Sequence, residues 1–422
     1  MSANMRTRKT FLRFAGLGAA FAMVIAACGT PDDSDGDDSA PSTTDAAASG
    51  AASTTTEAAP DVSAAVGTLP EGPSALQSRF DDAFPEPLVD PSEIIPGGPP
   101  PDGIPPIEDP TFLNVTDALD LLPAAEPVIA LEINGDARAY PVRVLIWHEI
   151  VNDTVGDVPV SVTYCPLCNS AVSYRREVRG VETTFGTSGS LFASALVMYD
   201  RATESLWTHF DGRAVVGVLA GDQLEAISSP LLSWEDFRST YPDGLVLDPD
   251  ATGFSRRYGS NPYQGYDDPD TDPFLFRGVP DGRAQAKQRV VGVTHNDEGA
   301  AYSIEFVSGG AAKATNVQLG GDDLVIFWKA GQATALESGE IAGGRDVGSV
   351  GVFRAQVDGE TLTFAAEGDR FLDEETGSEW LLSGEAVDGP LTGSRLERLN
   401  HLDTFWFAWA TYQPGTALVE TS

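Results

Sequence analysis

The chain carries one pair of thiols spaced to act together, Cys165-Pro166-Leu167-Cys168. The pair closes an alternating segment, Val158-Pro159-Val160-Ser161-Val162-Thr163-Tyr164, and alternation resumes at Ser170-Ala171-Val172-Ser173-Tyr174. That pattern predicts a strand turn rather than a helix start. A redox cysteine of thioredoxin type draws its acidity from a helix N-terminus, and here that support is missing. Two thiolates on a turn suit a soft or borderline metal, copper or zinc. The same pair could close a short disulfide in an oxidising compartment, cycle as a thiol–disulfide couple, or stand inert. All of these readings stay open.

Two sulfurs rarely complete a metal site, so further ligands are expected. His148 precedes Cys165 by 17 positions (165 − 148), which a hairpin turning near Asn152–Asp157 would close in space. His209 and Met198 fall on later strand-like segments, and both side chains suit a soft metal. A lone His or Met is more often packing than ligand; His148 is favoured because it stands between Trp147 and Glu149. Glu149 or Asp153 could orient the second imidazole nitrogen or serve as acid or base, although a turn carboxylate is more often merely solvated. Asp268-Pro269-Asp270-Thr271-Asp272 imitates the start of a calcium loop. Pro273 replaces the glycine such a loop needs, and no Glu follows at its twelfth position, so an acidic linker is expected. No phosphate-binding loop, Gly-x-Ser-x-Gly elbow or His-Glu-x-x-His helix is present.

The elements that must hold these residues read as a mainly β fold with a few helices, an α+β composition. From about 111 onward, short alternating segments are punctuated by Gly, Asp, Asn and Pro. Ala137–Val144 is one such segment. Two stretches read as helices: one opened by Ser233-Trp234-Glu235-Asp236 in capping-box style, the other capped by Asp403-Thr404 and running to about Tyr412. These helices expose a repeat. Gly212, Gly217, Trp234 and Pro242 recur as Gly384, Gly389, Trp406 and Pro414, always 172 apart (384 − 212). Upstream, Asp200, Thr203 and Trp207 match Asp373, Thr376 and Trp380. An internal duplication is expected, with pseudo-symmetric halves at 111–248 and 288–422 and a linker at 249–287. The later half has no Cys pair. It shows Phe371 near the Met198 position and Leu381-Leu382 near the His209 position, and so reads as an apolar scaffold.

The beginning of the chain reads as an export signal. A basic stretch, Arg6 to Lys9, precedes an uncharged run from Phe14 to Ala27, shorter than the ~20 residues that a spanning helix needs. Ile25-Ala26-Ala27-Cys28-Gly29 then fits a lipobox, which implies cleavage after residue 27 and lipid attachment at Cys28. The run Thr7-Arg8-Lys9-Thr10-Phe11-Leu12-Arg13 also resembles a twin-arginine signal with Lys in the second place. Residues 28–110 are acidic and Pro-rich, and are expected to be a disordered tether. The protein is thus expected to be extracytoplasmic, with the membrane as its lipid-mediated partner. A net charge of −37 argues against nucleic acid as a partner, since both are polyanions. With Cys28 used by the anchor, Cys165 and Cys168 are the only thiols of the folded part.

Trp147-His148-Glu149-Ile150-Val151-Asn152-Asp153, Thr163 to Ala171, Met198-Tyr199-Asp200 and Ser205-Leu206-Trp207 together resemble one family, the domain of unknown function numbered 3179. The likeness runs from about Leu131 to Asp248, and Tyr258-Gly259 and Asn261 to Tyr266 also fit it. The resemblance implies no reaction. Members tend to have Gly where this chain has Asn169, and Gln where it has His209, so a role for His209 would be particular to this protein. The expectation is an exported lipoprotein with a soft-metal site in its first half, open to metal-dependent redox chemistry. A non-enzymatic surface module with a structural Cys165–Cys168 disulfide and a thiol–disulfide redox protein are the competing readings.

Overall fold

The computed structural model describes residues 67–421; the expected export signal, Cys28 and the part of the expected tether up to residue 66 lie outside the described residues. The chain is mainly β, as expected. The first half builds a hairpin, β1 (Pro127–Ile133) and β2 (Asp136–Pro141), then a short helix, α1 (Val142–His148). A three-stranded meander follows, β3 (Ile150–Val155), β4 (Val158–Cys165) and β5 (Ser170–Arg175). Next come β6 (Phe185–Phe192), β7 (Ala195–Asp200), β8 (Leu206–Thr208) and β9 (Ala214–Val216), and then β10 (Leu231–Ser233), α2 (Trp234–Thr240) and β11 (Leu245–Leu247).

The second half repeats this order. It runs β12 (Arg289–His295), β13 (Glu298–Ser303), α3 (Ile304–Val307), β14 (Ala312–Leu319), β15 (Asp322–Lys329) and β16 (Ser349–Arg354). It continues with β17 (Phe364–Glu367), β18 (Arg370–Asp373), β19 (Glu379–Trp380), β20 (Ala386–Asp388), β21 (His401–Phe405), α4 (Trp406–Tyr412) and β22 (Ala417–Val419). One sheet is ordered β10-β1-β2-β11, with β11 parallel to β2; its counterpart is β21-β12-β13-β22, with β22 parallel to β13. Even the pairing recurs: Val246 lies beside Ala139, and Leu418, 172 residues after Val246 (418 − 246), lies beside Ala301, 162 residues after Ala139 (301 − 139).

A polar motif repeats with the strands. The Asp200 carboxylate accepts from Thr203 N at 2.6 Å, Thr203 Oγ1 at 2.9 Å and Trp207 Nε1 at 3.0 Å. Asp373 accepts from Thr376 N at 2.6 Å, Thr376 Oγ1 at 3.0 Å and Trp380 Nε1 at 2.9 Å. Each is a buried carboxylate whose lone pairs are filled by one tight turn, so the turn and the tryptophan are specified together.

The halves clasp each other. Ser233 N, at the start of α2, donates to Ser349 Oγ of the second half at 2.9 Å. In return Phe405 N, at the start of α4, donates to the Cys168 carbonyl of the first half at 3.1 Å. Each helix entrance therefore seats on the hairpin end of the other half.

Four expectations need correction. Residues 67–110 are not free tether. Ala75, Ile94, Ile95 and Ile107 are buried, Ile95–Pro96 pairs with Ser190–Leu191, and Ile107 bridges Val151. Few apolar anchors suffice because the Pro-rich backbone has little conformational entropy to lose. Ala137–Val144 is not one strand: after Pro141 the chain turns into α1, whose Val142, Val144, Leu145 and Ile146 all face the core. Asp403 and Thr404 do not cap α4. They lie in β21, their side chains turned to Arg289 and Cys168, and the cap position falls to Phe405. The α2 capping box forms as expected, Ser233 Oγ accepting Asp236 N at 3.0 Å. Finally, the stretch 249–287 is more than a spacer, since Tyr258, Tyr263, Tyr266 and Phe276 pack onto the main core.

Candidate metal centre

The cysteine pair sits on a four-residue turn between β4 and β5, with Cys165 and Ser170 as the last paired residues. Asn169 has φ of 50°, a left-handed conformation that asparagine tolerates better than most side chains. Tyr164 Oη donates to Asn169 Oδ1 at 3.1 Å, and the Asn169 amide reaches Asp403 at 3.4 Å. The Cys168 carbonyl also accepts Thr404 Oγ1 at 2.8 Å. Asp403 is in turn held by Arg289 in a buried ion pair, Nε to Oδ1 at 3.0 Å. The turn is thus fixed from behind by the second half.

Both cysteines are free and buried. Their sulfurs and one imidazole nitrogen of His209 all lie within 4.8 Å of one another. Leu196 of β7 joins the two parts: its N–H donates to Cys165 Sγ at 3.4 Å, and its carbonyl accepts His209 N at 3.0 Å. Tyr174 Oη donates to the His209 carbonyl at 2.7 Å, fixing the backbone on the other side. The imidazole itself has nothing: both ring nitrogens are buried without a hydrogen-bond partner among the described residues. An orphaned buried polar group costs about 1–3 kcal/mol, so an imidazole is not normally left this way. Burial pushes its pKa down to about 3, which keeps it neutral with a lone pair to give.

The thiols are unequal. Burial pushes Cys165 up, but hydrogen bonds from the Cys168 thiol and from the amides of Leu196, Cys168 and Leu167 outweigh it, and its pKa falls below the ordinary value. Cys168 is raised well above, by burial and by the bond it shares with Cys165. Of the two thiols, Cys165 is therefore the one that gives up its proton more readily, beside a neutral imidazole. The set of two sulfurs and one nitrogen fits copper or zinc, and a bound ion would satisfy the orphaned histidine.

His148, favoured from the sequence, is not part of this group. As the last residue of α1 it turns away, with Nδ1 2.7 Å from the Pro105 carbonyl and Nε2 2.7 Å from Tyr258 Oη. Both nitrogens are engaged, so it serves as a buried tie between the N-terminal arm and the 249–287 segment. The hairpin that was to return it does form, turning at Gly156-Asp157, but α1 carries the histidine out of line. Met198 is fully buried in the same core cluster as both cysteines and stands opposite Trp207, next to the Val197–Thr208 pair. Its counterpart Phe371 stands opposite Trp380, as the repeat requires.

Neither candidate carboxylate is a free base. Asp153 is taken up by Arg138 at 2.8 Å and by Tyr140 Oη at 2.6 Å, a structural ion pair. Glu149 sits in a left-handed conformation at φ 59°; burial, with the Cys165 sulfur near, pushes its pKa well above the usual carboxylate range. Its neutral form is therefore favoured. Beside the acidic run Asp268–Asp272 the Lys287 ammonium donates to Tyr266 O at 2.5 Å and to Thr271 Oγ1. The second half is not simply apolar where the pair should be. Lys329 occupies the Cys165 register position opposite Ser349 and bonds Asp236 at 2.9 Å.

No curated protein and no solved structure matches the chain. The family described as "Protein of unknown function (DUF3179)" matches residues 101–416, well beyond the 131–248 stretch that carries the visible motifs. The match takes in both halves and the segment between them, which agrees with a site whose turn is clamped by the second half. The chain belongs to this family of proteins of unknown function, DUF3179.

Proposed function

We propose that this protein is an exported lipoprotein, anchored through Cys28, whose folded part holds one soft metal ion, copper or zinc, between Cys165, Cys168 and His209. The observation that carries this reading is the His209 imidazole, fully buried and without a hydrogen-bond partner among the described residues, within 4.8 Å of two free thiols. Lipobox and signal supply the location: an oxidising, extracytoplasmic compartment in which free thiols need protection. A ligand set closed off from solvent suits holding an ion or passing an electron, rather than opening a coordination position to a bulky substrate. Copper would make the centre a redox one. The same burial speaks against thiol–disulfide exchange, since Cys165 and Cys168 are 1 % and 0 % exposed and an attacking thiol has no approach.

Metal analysis of the exported protein tests this. The expected result is about one equivalent of copper or zinc, lost when Cys165 and Cys168 are both changed to Ser. Metal-free protein with a quantitative Cys165–Cys168 disulfide would overturn the reading. Detergent partitioning of a Cys28→Ala variant tests the anchor separately; partitioning like the parent would remove it.

A further inference from the structure

The two halves treat one sheet edge differently. In the first half β3 is held at Asn152, whose Nδ2 donates to the Phe185 carbonyl at 2.9 Å and whose Oδ1 accepts Phe185 N at 3.0 Å. In the second half Asn316 of β14 repeats the bridge, Nδ2 to the Phe364 carbonyl at 2.8 Å and Phe364 N to Oδ1 at 3.0 Å. The neighbouring turn matches as well: Arg201 N donates to the Thr184 carbonyl at 2.9 Å, and Glu374 N to the Thr363 carbonyl at 2.8 Å. Positions 150–152 and 314–316 are therefore equivalent, 164 residues apart (316 − 152). The ladder agrees, with Asn152 opposite Ser161 and Asn316 opposite Val325.

An extended piece of the N-terminal arm lies on the first-half edge. Ile107 bridges Val151 in parallel; its N–H donates to the Ile150 carbonyl at 2.9 Å, and its carbonyl accepts Asn152 N at 2.9 Å. The next residue, Glu108, accepts from Arg201 Nη2 at 2.8 Å and from Asn152 Nδ2 at 3.1 Å. Among the described residues nothing takes that place in the second half. β14 pairs on one side only, with β15. The Ala314 carbonyl and the Asn316 N–H, counterparts of the two groups that Ile107 engages, have no backbone partner beyond that ladder among the described residues. Between them Thr315 is 9 % exposed, and its hydroxyl has no hydrogen-bond partner among the described residues.

An unpaired strand edge is a template for another extended chain. Charge narrows which chain. Where Arg201 receives Glu108 in the first half, the equivalent position carries Glu374, followed by Glu375. Both are exposed, and among the described residues neither carboxylate meets a Lys or Arg. The residue that stands in the place of Glu108 should therefore be basic. Residues 29–66 of this chain contain no Lys or Arg, so the tether does not match.

We propose that the free edge of β14 binds an extended segment of another protein, added as a parallel strand. That segment carries Lys or Arg one residue after the residue that pairs with Thr315. The site is separate from the cysteine pair and does not depend on a metal.

Fluorescence anisotropy and hydrogen exchange on the exported protein test this with two labelled peptides, one copying residues 103–110 and one the same with Glu108→Lys. At low salt the Lys peptide should bind at least about tenfold more tightly than the parent peptide, an advantage that shrinks as salt rises. It should slow exchange within 312–319 and leave 150–155 unchanged. Glu374→Arg, at an exposed position, should reverse the preference between the peptides with unchanged Tm. The proposal fails if neither peptide protects 312–319, if the parent peptide binds as tightly as the Lys peptide, or if Glu374→Arg leaves the preference as it was. It fails too if the peptide-free protein is a dimer with 312–319 already protected, which would make a second copy the occupant.

Discussion

Leu196 touches both parts of the candidate metal centre, giving its N–H to Cys165 Sγ at 3.4 Å and its carbonyl to His209 N at 3.0 Å. One residue of β7 thus sets the separation between a turn at position 165 and a loop at position 209. The ligand set is preorganised by backbone bonds that no side-chain substitution at Leu196 would remove.

Histidine substitutions separate the two buried imidazoles. His209→Leu should lower metal affinity by at least about a hundredfold, since even losses around a ligand are worth about 10–100-fold. In chelator-treated protein the same change should raise stability by about 1–3 kcal/mol, because it removes two orphaned nitrogens. His148→Leu should do the reverse: metal content is kept, and stability falls by about 1–3 kcal/mol as Pro105 O and Tyr258 Oη lose their partner. Metal analysis and urea unfolding read both. A His148 variant that loses its metal would return that residue to the ligand set.

Asp403→Ala should cost about 3–5 kcal/mol, because it leaves the buried Arg289 guanidinium uncompensated. It also withdraws the acceptor for the Asn169 amide, so the cysteine turn should loosen. The expected readout is a lower urea midpoint together with faster metal loss to a chelator. Loss of stability with unchanged metal release would show that the second half does not steady the site.

The repeated aspartates should behave alike. Asp200→Ala and Asp373→Ala each strand a Thr N–H, a Thr hydroxyl and a Trp Nε1–H in a buried turn. Each should cost about 2–4 kcal/mol, within about 1 kcal/mol of the other. A large cost at one position and almost none at the other would mean that the two turns are equivalent in shape but not in energy.

Acid should unfold the metal-free protein early. Burial holds His148 and His401 near 4 and His209 near 3, all below the ordinary value of 6.5. Above pH 6.5 these groups are neutral in both states and contribute nothing to the pH dependence. As pH falls below 6.5 the unfolded chain binds protons that the folded chain refuses, so stability is lost progressively until the folded values are reached. Three groups give a slope of up to about 4 kcal/mol per pH unit between about pH 6 and 4. Urea midpoints should be level from pH 7 to 8 and fall steeply below 6; a midpoint unchanged down to pH 4.5 would contradict these environments.

Much of the architecture was legible in the chain because it rests on local rules. Alternation in Val158–Tyr164 and Ser170–Tyr174 marks the strands flanking the cysteine turn, and Ser233 with Asp236 marks a helix start. The spacing of 172 between Gly212 and Gly384, or Trp234 and Trp406, accompanies a like order of elements in the two stretches, because equivalent turns need equivalent residues. The cysteine pair was legible too, as the only thiols left for the folded part. Which histidine joins them was not. His148 and His209 look alike as letters; they differ in that α1 points one ring at Pro105 and Tyr258, while β7 places the other beside the thiols with no partner among the described residues. Nor could any local signal show that Asp403, more than two hundred residues away, closes the back of the cysteine turn. Such contacts arise only when the halves clasp, since burial and hydrogen-bond satisfaction are properties of the packed chain and not of any segment within it.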